Sequence, residues 1–128
     1  MTDVVVVKFG GGLITNKAKL CTPDLAIIEQ LVAVVKRCLE SGLQVIVVHG
    51  AGSFGHLRAK YWRLNEGLLP GVEFAAQGDC SSQKEAVSLV RKDMLTLNNL
   101  IINAFQKVGV SAKSCLLYTS DAADDDHC

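Results

Sequence analysis

The apolar and polar positions divide the chain into segments of different period. Val4, Val5, Val6 and Val7 form an unbroken β-branched run that ends at Lys8 and Phe9. A run without alternation predicts a fully buried strand of the kind found in parallel sheets. Gln44 to Val48 repeats the pattern and predicts a second buried strand. Between them Leu25, Ile28, Val32, Val35 and Leu39 recur at helical spacing, which marks one apolar helix face. Thr22-Pro23-Asp24 supplies its start, with Thr22 as N-cap and Pro23 at the first helical position. Gly42 supplies its stop. A short helix is predicted across Gly55 to Trp62, and Asn65 to Ser82 has no period and reads as mostly loop. Gln83 to Lys107 reads as a long helix whose apolar side carries Leu89, Met94, Leu97, Leu100, Ile101 and Phe105, ended by Gly109. Val110-Ser111-Ala112 reads as the start of a third strand.

Strands alternating with helices predict βαβ units, hence an α/β protein with a mainly parallel sheet and right-handed crossovers. Ligands in such sheets sit beyond the carboxyl ends of the strands, and both glycine loops of this chain fall there. The first is Gly10-Gly11-Gly12, with Lys8 just before it and Lys17 just after; the second is Gly50-Ala51-Gly52-Ser53-Phe54-Gly55, followed by His56. Glycine lets the backbone approach a ligand and turn its N–H groups toward an anion. A helix starting after each loop adds a favourable field for phosphate. Two such loops, with Lys8, Lys17 and His56 nearby, predict a site that holds two phosphate-bearing molecules at once, as phosphoryl transfer requires.

Composition narrows the reading. With 49% apolar residues, a chain of 128 residues can build one modest domain with a real core. Thirteen basic side chains balance 13 acidic ones, so nothing points to nucleic acid or a charged membrane surface and the cations matter only locally. Five scattered cysteines with no CxxC pair argue against a zinc site or a disulfide framework. Met1-Thr2-Asp3 lacks a basic n-region and Lys8 soon interrupts the apolar run, so neither a secretory signal nor a membrane span is expected, and the expected location is cytoplasmic.

Other readings compete at each motif. The second loop also fits the G-x-G-x-x-G dinucleotide fingerprint, which wants a further strand ending in an acid about 20 residues on. Tyr61 to Gly67 is a poor strand, and the fingerprint follows the second strand rather than the first. Neither loop ends in the Gly-Lys-Ser/Thr of a P-loop. Lys8 also reads as a strand-end lysine reaching solvent, Lys17 as a surface lysine and His56 as an exposed histidine. His49 reads as structural, fixing the loop through a backbone hydrogen bond. Arg58 and Lys60 read as a solvated helix face. Met94, Leu97 and Ile101 read as core packing rather than as an apolar ligand slot.

The run from Lys8 to Lys17, followed by His49 to His56, resembles the isopentenyl phosphate kinases of the amino acid kinase superfamily. The resemblance extends from Val4 to about Ala112 and includes Leu97-Asn98-Asn99-Leu100-Ile101-Ile102; its most specific part is the ending Ser53-Phe54-Gly55-His56. It implies a three-layer α/β/α sandwich and an enzyme that moves the γ-phosphate of ATP, with Mg2+, onto isopentenyl phosphate. It further implies that Lys8 and Lys17 stabilise the transferring group, with Lys17 in the transition-state role, and that His56 anchors the acceptor phosphate. Lys8 and the amides of Gly10, Gly11, Gly12 and Gly52 would hold nucleotide phosphates, and Ala51 and Gly52 would contact the acceptor. No residue is assigned to metal. Family members commonly form dimers, so a homodimer is compatible with the resemblance. Two positions depart from the pattern: Gly12 replaces a serine or alanine of many relatives, and Ala51 a glycine common in microbial ones. The rival functions are a relative acting on a carboxylate, nucleoside monophosphate or phosphonate, and a non-catalytic nucleotide- or anion-binding module.

Cys115 to Asp124 resembles a translated transposase adapter of sequencing libraries, the alternative being a natural acidic tail. Residues 1–114 are therefore read as the N-terminal part of a truncated amino acid kinase-like domain, with the acceptor lobe and glycine loops, and 115–128 as a non-native tail. The family's adenine-binding half would lie beyond residue 114.

Overall fold

The computed structural model describes residues 3–115, so the tail reading falls, apart from Cys115, outside the described residues. The elements are β1 (Val4–Phe9), α1 (Gly11–Ile14), α2 (Leu25–Glu40), β2 (Gln44–His49), α3 (His56–Tyr61) and α4 (Gln83–Lys107), with 3-10 turns at Gly52–Phe54 and Leu64–Glu66. β1 and β2 pair in parallel, in a register running from Val4 opposite Gln44 to Phe9 opposite His49. The crossover helix α2 packs against β2 and α4. The core between sheet and helices holds Phe9, Ile14, Ile28, Val32, Phe54, Leu97 and Phe105 among others. The Phe9 and Phe105 rings stack there with centroids 6.5 Å apart.

Both strands are covered on one face only among the described residues. Val7, Val45 and Val47 pack on the core, whereas Val6 is 64% and Ile46 54% exposed. The expectation of full burial is thus met on one side. An unbroken valine run offers apolar side chains to both faces and carries no mark of which face is covered. The fold is α/β with a parallel sheet, and residues of α2 and α4 cover one of its faces.

The start of α2 differs from expectation. Asp24, not Thr22, is the N-cap: its carboxylate accepts from the Ile27 N–H at 3.2 Å, and the helix opens at Leu25. Thr22 is committed elsewhere, its N–H to Ser53 Oγ at 3.1 Å and its carbonyl to the Asn16 N–H at 2.8 Å. Pro23 forms an antiparallel bridge with Thr15 instead of a first helical turn.

The helix ends follow the sequence closely. Beyond α4, Gly109 has φ +79°, its N–H bonds Gln106 O at 3.0 Å, and the Val110 N–H bonds Phe105 O at 3.0 Å. This is a Schellman motif, and Gly42 closes α2 in the same way, with its N–H to Leu39 O and that of Leu43 to Cys38 O. The third strand expected at Val110-Ser111-Ala112 is not formed. The Val110 N–H is already used by the cap, and Val110 and Ala112 pack on the core without entering a ladder.

The predicted loop after α3 is irregular but tied down. Trp62, Cys80 and Ala86 form a second buried cluster. The buried Gln83 side chain donates to Trp62 O at 2.8 Å and accepts from the Leu69 N–H at 2.7 Å.

Candidate active site

Because β1 and β2 run parallel, the two glycine loops leave the same end of the sheet side by side, and the Gly50 N–H donates to Phe9 O at 3.0 Å. They then meet backbone to backbone. A methyl group on Gly11 would lie 2.9 Å from Ala51 N and overlap Gly52 N. Gly52 has φ +50°, and a methyl group there would overlap Gly11 O and the Thr15 hydroxyl. Gly11 and Gly52 are therefore closed against each other. Gly10 and Gly12 stay open: nothing lies within 4 Å of a Cβ on Gly10, and on Gly12 it would meet only Lys17, at 3.5 Å from Cδ and 3.9 Å from Nζ. A serine or alanine would fit at Gly12 without displacing backbone.

Two hydroxyl groups missed by sequence reasoning join the loops. Thr15 Oγ1 donates to Gly11 O at 2.7 Å and accepts from the Ser53 N–H at 3.0 Å. Ser53, fully buried, accepts at Oγ from the Thr22 N–H, and its carbonyl accepts from the Cys21 N–H at 2.9 Å. The lysine loop, residues 15–22, is in this way pinned at both ends to the second glycine loop. Lys17 rides on it, exposed, with its ammonium over Gly12. The only local signal was a β-hydroxyl four residues after a glycine, which has many ordinary meanings.

Lys8 is exposed on β1, opposite Val48 in the register, on the same uncovered face as Val4 and Val6. His56 is exposed as the first residue of α3. Among the described residues Lys8, Lys17 and His56 take part in no ion pair. Ala51 precedes the 3-10 turn that carries Gly52. The structure thus brings Lys17, Gly11, Gly12, Ala51 and Gly52 together directly. Lys8 and His56 are placed at the same end of the sheet.

His49 hydrogen-bonds Gly50 O through Nδ1 at 3.0 Å and Asn98 Oδ1 through Nε2 at 3.1 Å. It fixes the second loop to α4, as its structural reading expects, and Asn98 is the partner that reading lacked. Leu97 and Ile101 are buried core. Met94 is partly buried, its sulfur 3.7 Å from where a Cβ on Gly55 would stand.

Arg58 overturns its sequence reading. It is not on a solvated face but 8% exposed, with Nη2 3.4 Å from Asp93 Oδ2 on α4. A six-residue helix offers too few positions to show which side faces inward. Cys21 meets the same pair: its thiol is pushed up to about 11, first by burial, then by a hydrogen bond to Asp93 and that carboxylate's charge, with Arg58 opposing. Among the described residues no group of three His, Cys, Asp or Glu side chains could hold a metal, and no helix is long and apolar enough to cross a membrane.

The chain is similar to known proteins along most of its length. The sequence profile of the amino acid kinase family matches residues 3–127. Isopentenyl phosphate kinase of Thermoplasma acidophilum is 31% identical over 110 residues, which is 84% of this chain and 38% of that protein. The crystal structure of the T. acidophilum enzyme in its product complex superposes with a TM-score of 0.63 at 30% identity, covering 84% of this chain and 40% of that one. A substrate complex of isopentenyl phosphate kinase gives 0.59 at 29% identity, covering 85% and 40%. The chain spans about two fifths of the length of these relatives.

Proposed function

We propose, given that this chain belongs to the amino acid kinase family, that the protein containing it transfers the γ-phosphate of ATP to isopentenyl phosphate, forming isopentenyl diphosphate and ADP. The observation that carries the reading is the lysine loop: Thr15 and Ser53 tie it to the second glycine loop and so hold the Lys17 ammonium over the open face of Gly12.

The chemistry asks for little else from these residues. A phosphate monoester is anionic near neutral pH, so its oxygen attacks without a general base. What remains is to bring two polyanions into line and neutralise the charge between them. Lys17 and Lys8 supply positive charge to the transferring group. The amides of Gly11 and Gly12 open α1 and have no intrahelical acceptor, and with Gly10 they would bind nucleotide phosphate. His56 donates to the acceptor phosphate and holds it in register beside Ala51 and Gly52. Gly52 has a second role, since its missing side chain is what lets the loops touch. Among the described residues no group of three His, Cys, Asp or Glu side chains could hold a metal, and the Mg2+ of such a transfer would be held largely by the nucleotide's own phosphates. The reading extends to a cytoplasmic enzyme acting on a small phosphate ester.

The test is turnover by the full-length protein with ATP and a panel of acceptors. Isopentenyl phosphate is expected to be the best acceptor. His56→Ala is expected to lower kcat/KM for it by about 10- to 100-fold, the worth of a charge-assisted hydrogen bond, with a smaller effect on any carboxylate acceptor. Preference for a carboxylate, nucleoside monophosphate or phosphonate would move the protein elsewhere in the family. Tight ATP binding without transfer to any acceptor would make it a binding module. The 128-residue chain assayed alone is expected to show no turnover, because it spans only 38% of the related enzyme. Measurable product from it would refute that.

A further inference from the structure

We infer that Asp93 is a positioning residue: through its ion pair with Arg58 it sets the orientation of α3 and thereby of the His56 imidazole at its head. The inference rests on the reading of His56 as the acceptor-phosphate ligand, and names what holds that ligand in place.

α3 has six residues and no side-chain cap at its N-terminus. So short a helix has no stable direction of its own and takes it from tertiary contacts. Successive residues turn by about 100°, so Arg58 lies on the opposite side of α3 from His56. The burial agrees, with Arg58 inside and His56 exposed. A roll of the helix that moves the guanidinium swings the imidazole the other way. The pair is enclosed, its side chains 10% and 19% exposed.

Asp93 also reaches the other cationic loop. Cys21 lies four residues beyond Lys17, and Asp93 is among the causes that hold its thiol above the usual range, after burial. One carboxylate on the 25-residue helix α4 thus pairs with the helix carrying His56 and acts electrostatically on the segment carrying Lys17. The same helix, five residues on, fixes His49 through Asn98.

The pair is poorly built for stability alone. Its contact is long at 3.4 Å, and Arg58 Nε is buried with no hydrogen-bond partner. An apolar pair of similar volume is often as stable as a buried ion pair or more so. An ion pair, unlike an apolar contact, is directional, and direction is what a six-residue helix lacks.

The test uses the full-length protein and two variants, Asp93→Asn and the apolar pair Arg58→Met/Asp93→Leu. The first readout is the 1H–13C spectrum of the histidine rings, with His56 assigned by His56→Gln and His49 as the internal control. In Asp93→Asn the His56 signal is expected to shift and broaden while that of His49 stays in place. The second readout is kinetic: the KM for the phosphate acceptor is expected to rise by about tenfold with the KM for ATP unchanged. The apolar pair is expected to recover the melting temperature and to leave both the His56 signal and the acceptor KM displaced. It also carries the test if Asp93→Asn does not fold. An unmoved His56 signal in folded variants, or full restoration of signal and KM by the apolar pair, would overturn the inference. If the wild-type protein phosphorylates no acceptor, the kinase reading fails while the ring spectrum still decides whether Asp93 positions His56.

Discussion

Gly52→Ala is expected to destabilise the protein by about 2–5 kcal/mol, combining the cost of a side chain in a left-handed conformation with that of overpacking. Gly52 sits at φ +50°, and its new methyl group would overlap Gly11 O and the Thr15 hydroxyl. Neither neighbour can yield easily. Gly11 is itself held against Gly52 N, and the Thr15 hydroxyl bridges Gly11 O and the Ser53 N–H. Relief would have to separate the two loops, which would also release Lys17 from its place over Gly12. A loss of that size is a large part of the about 5–15 kcal/mol that stabilises a domain. Thermal unfolding of the full-length protein measures it, with Gly12→Ala as the control. At Gly12 the added carbon meets only the Lys17 side chain at ordinary contact distance, so the melting temperature is expected to stay within about 2 °C of wild type. A Gly52→Ala protein melting as high as the Gly12→Ala control would show that the loops are not locked together by backbone contact.

Lys17→Ala is expected to do the reverse, keeping the fold and removing the chemistry. Lys17 is exposed and takes part in no ion pair among the described residues, so truncating it removes little that folding uses. If it neutralises charge on the phosphoryl group in flight, kcat should fall by about 1000-fold, or about 4 kcal/mol of transition-state stabilisation. The KM values should change far less, since an interaction made mainly in the transition state appears in kcat. Initial rates with saturating ATP and isopentenyl phosphate, beside a melting curve, test both halves. A variant that keeps kcat within tenfold of wild type would remove Lys17 from the transition state and leave it a surface lysine.

The accuracy of the sequence reading follows the range of the interactions involved. α4 was legible to the residue, Gln83–Lys107, because both ends are written locally. The Ser82 hydroxyl accepts from the Glu85 N–H at 3.2 Å, and Gly109 supplies the left-handed residue after the helix. The start of α2 was misread because Thr22 looks like a cap by its neighbours, while its N–H is taken by Ser53, 31 positions away. Arg58 was misread for the same reason, its partner Asp93 lying 35 positions along the chain. The glycine loops were placed correctly at the strand ends. Their closure against one another, through Gly11, Gly52 and Thr15, could not be read.

Helices, strands and caps depend on contacts within a few residues, and those leave periods and fixed offsets in the order of amino acids. The alternation of β and α elements, the parallel pairing of β1 and β2, and the glycine loops at their ends were all written in that form. Burial of a charge, the mating of two loops and the choice of which sheet face is covered depend on groups brought together from distant positions, by packing that follows no period. Asp93 beside Arg58, and Thr15 between Gly11 and Ser53, became visible only once the chain had folded. A hydrogen bond or ion pair at such range is fixed by direction and distance in space, and the sequence records neither.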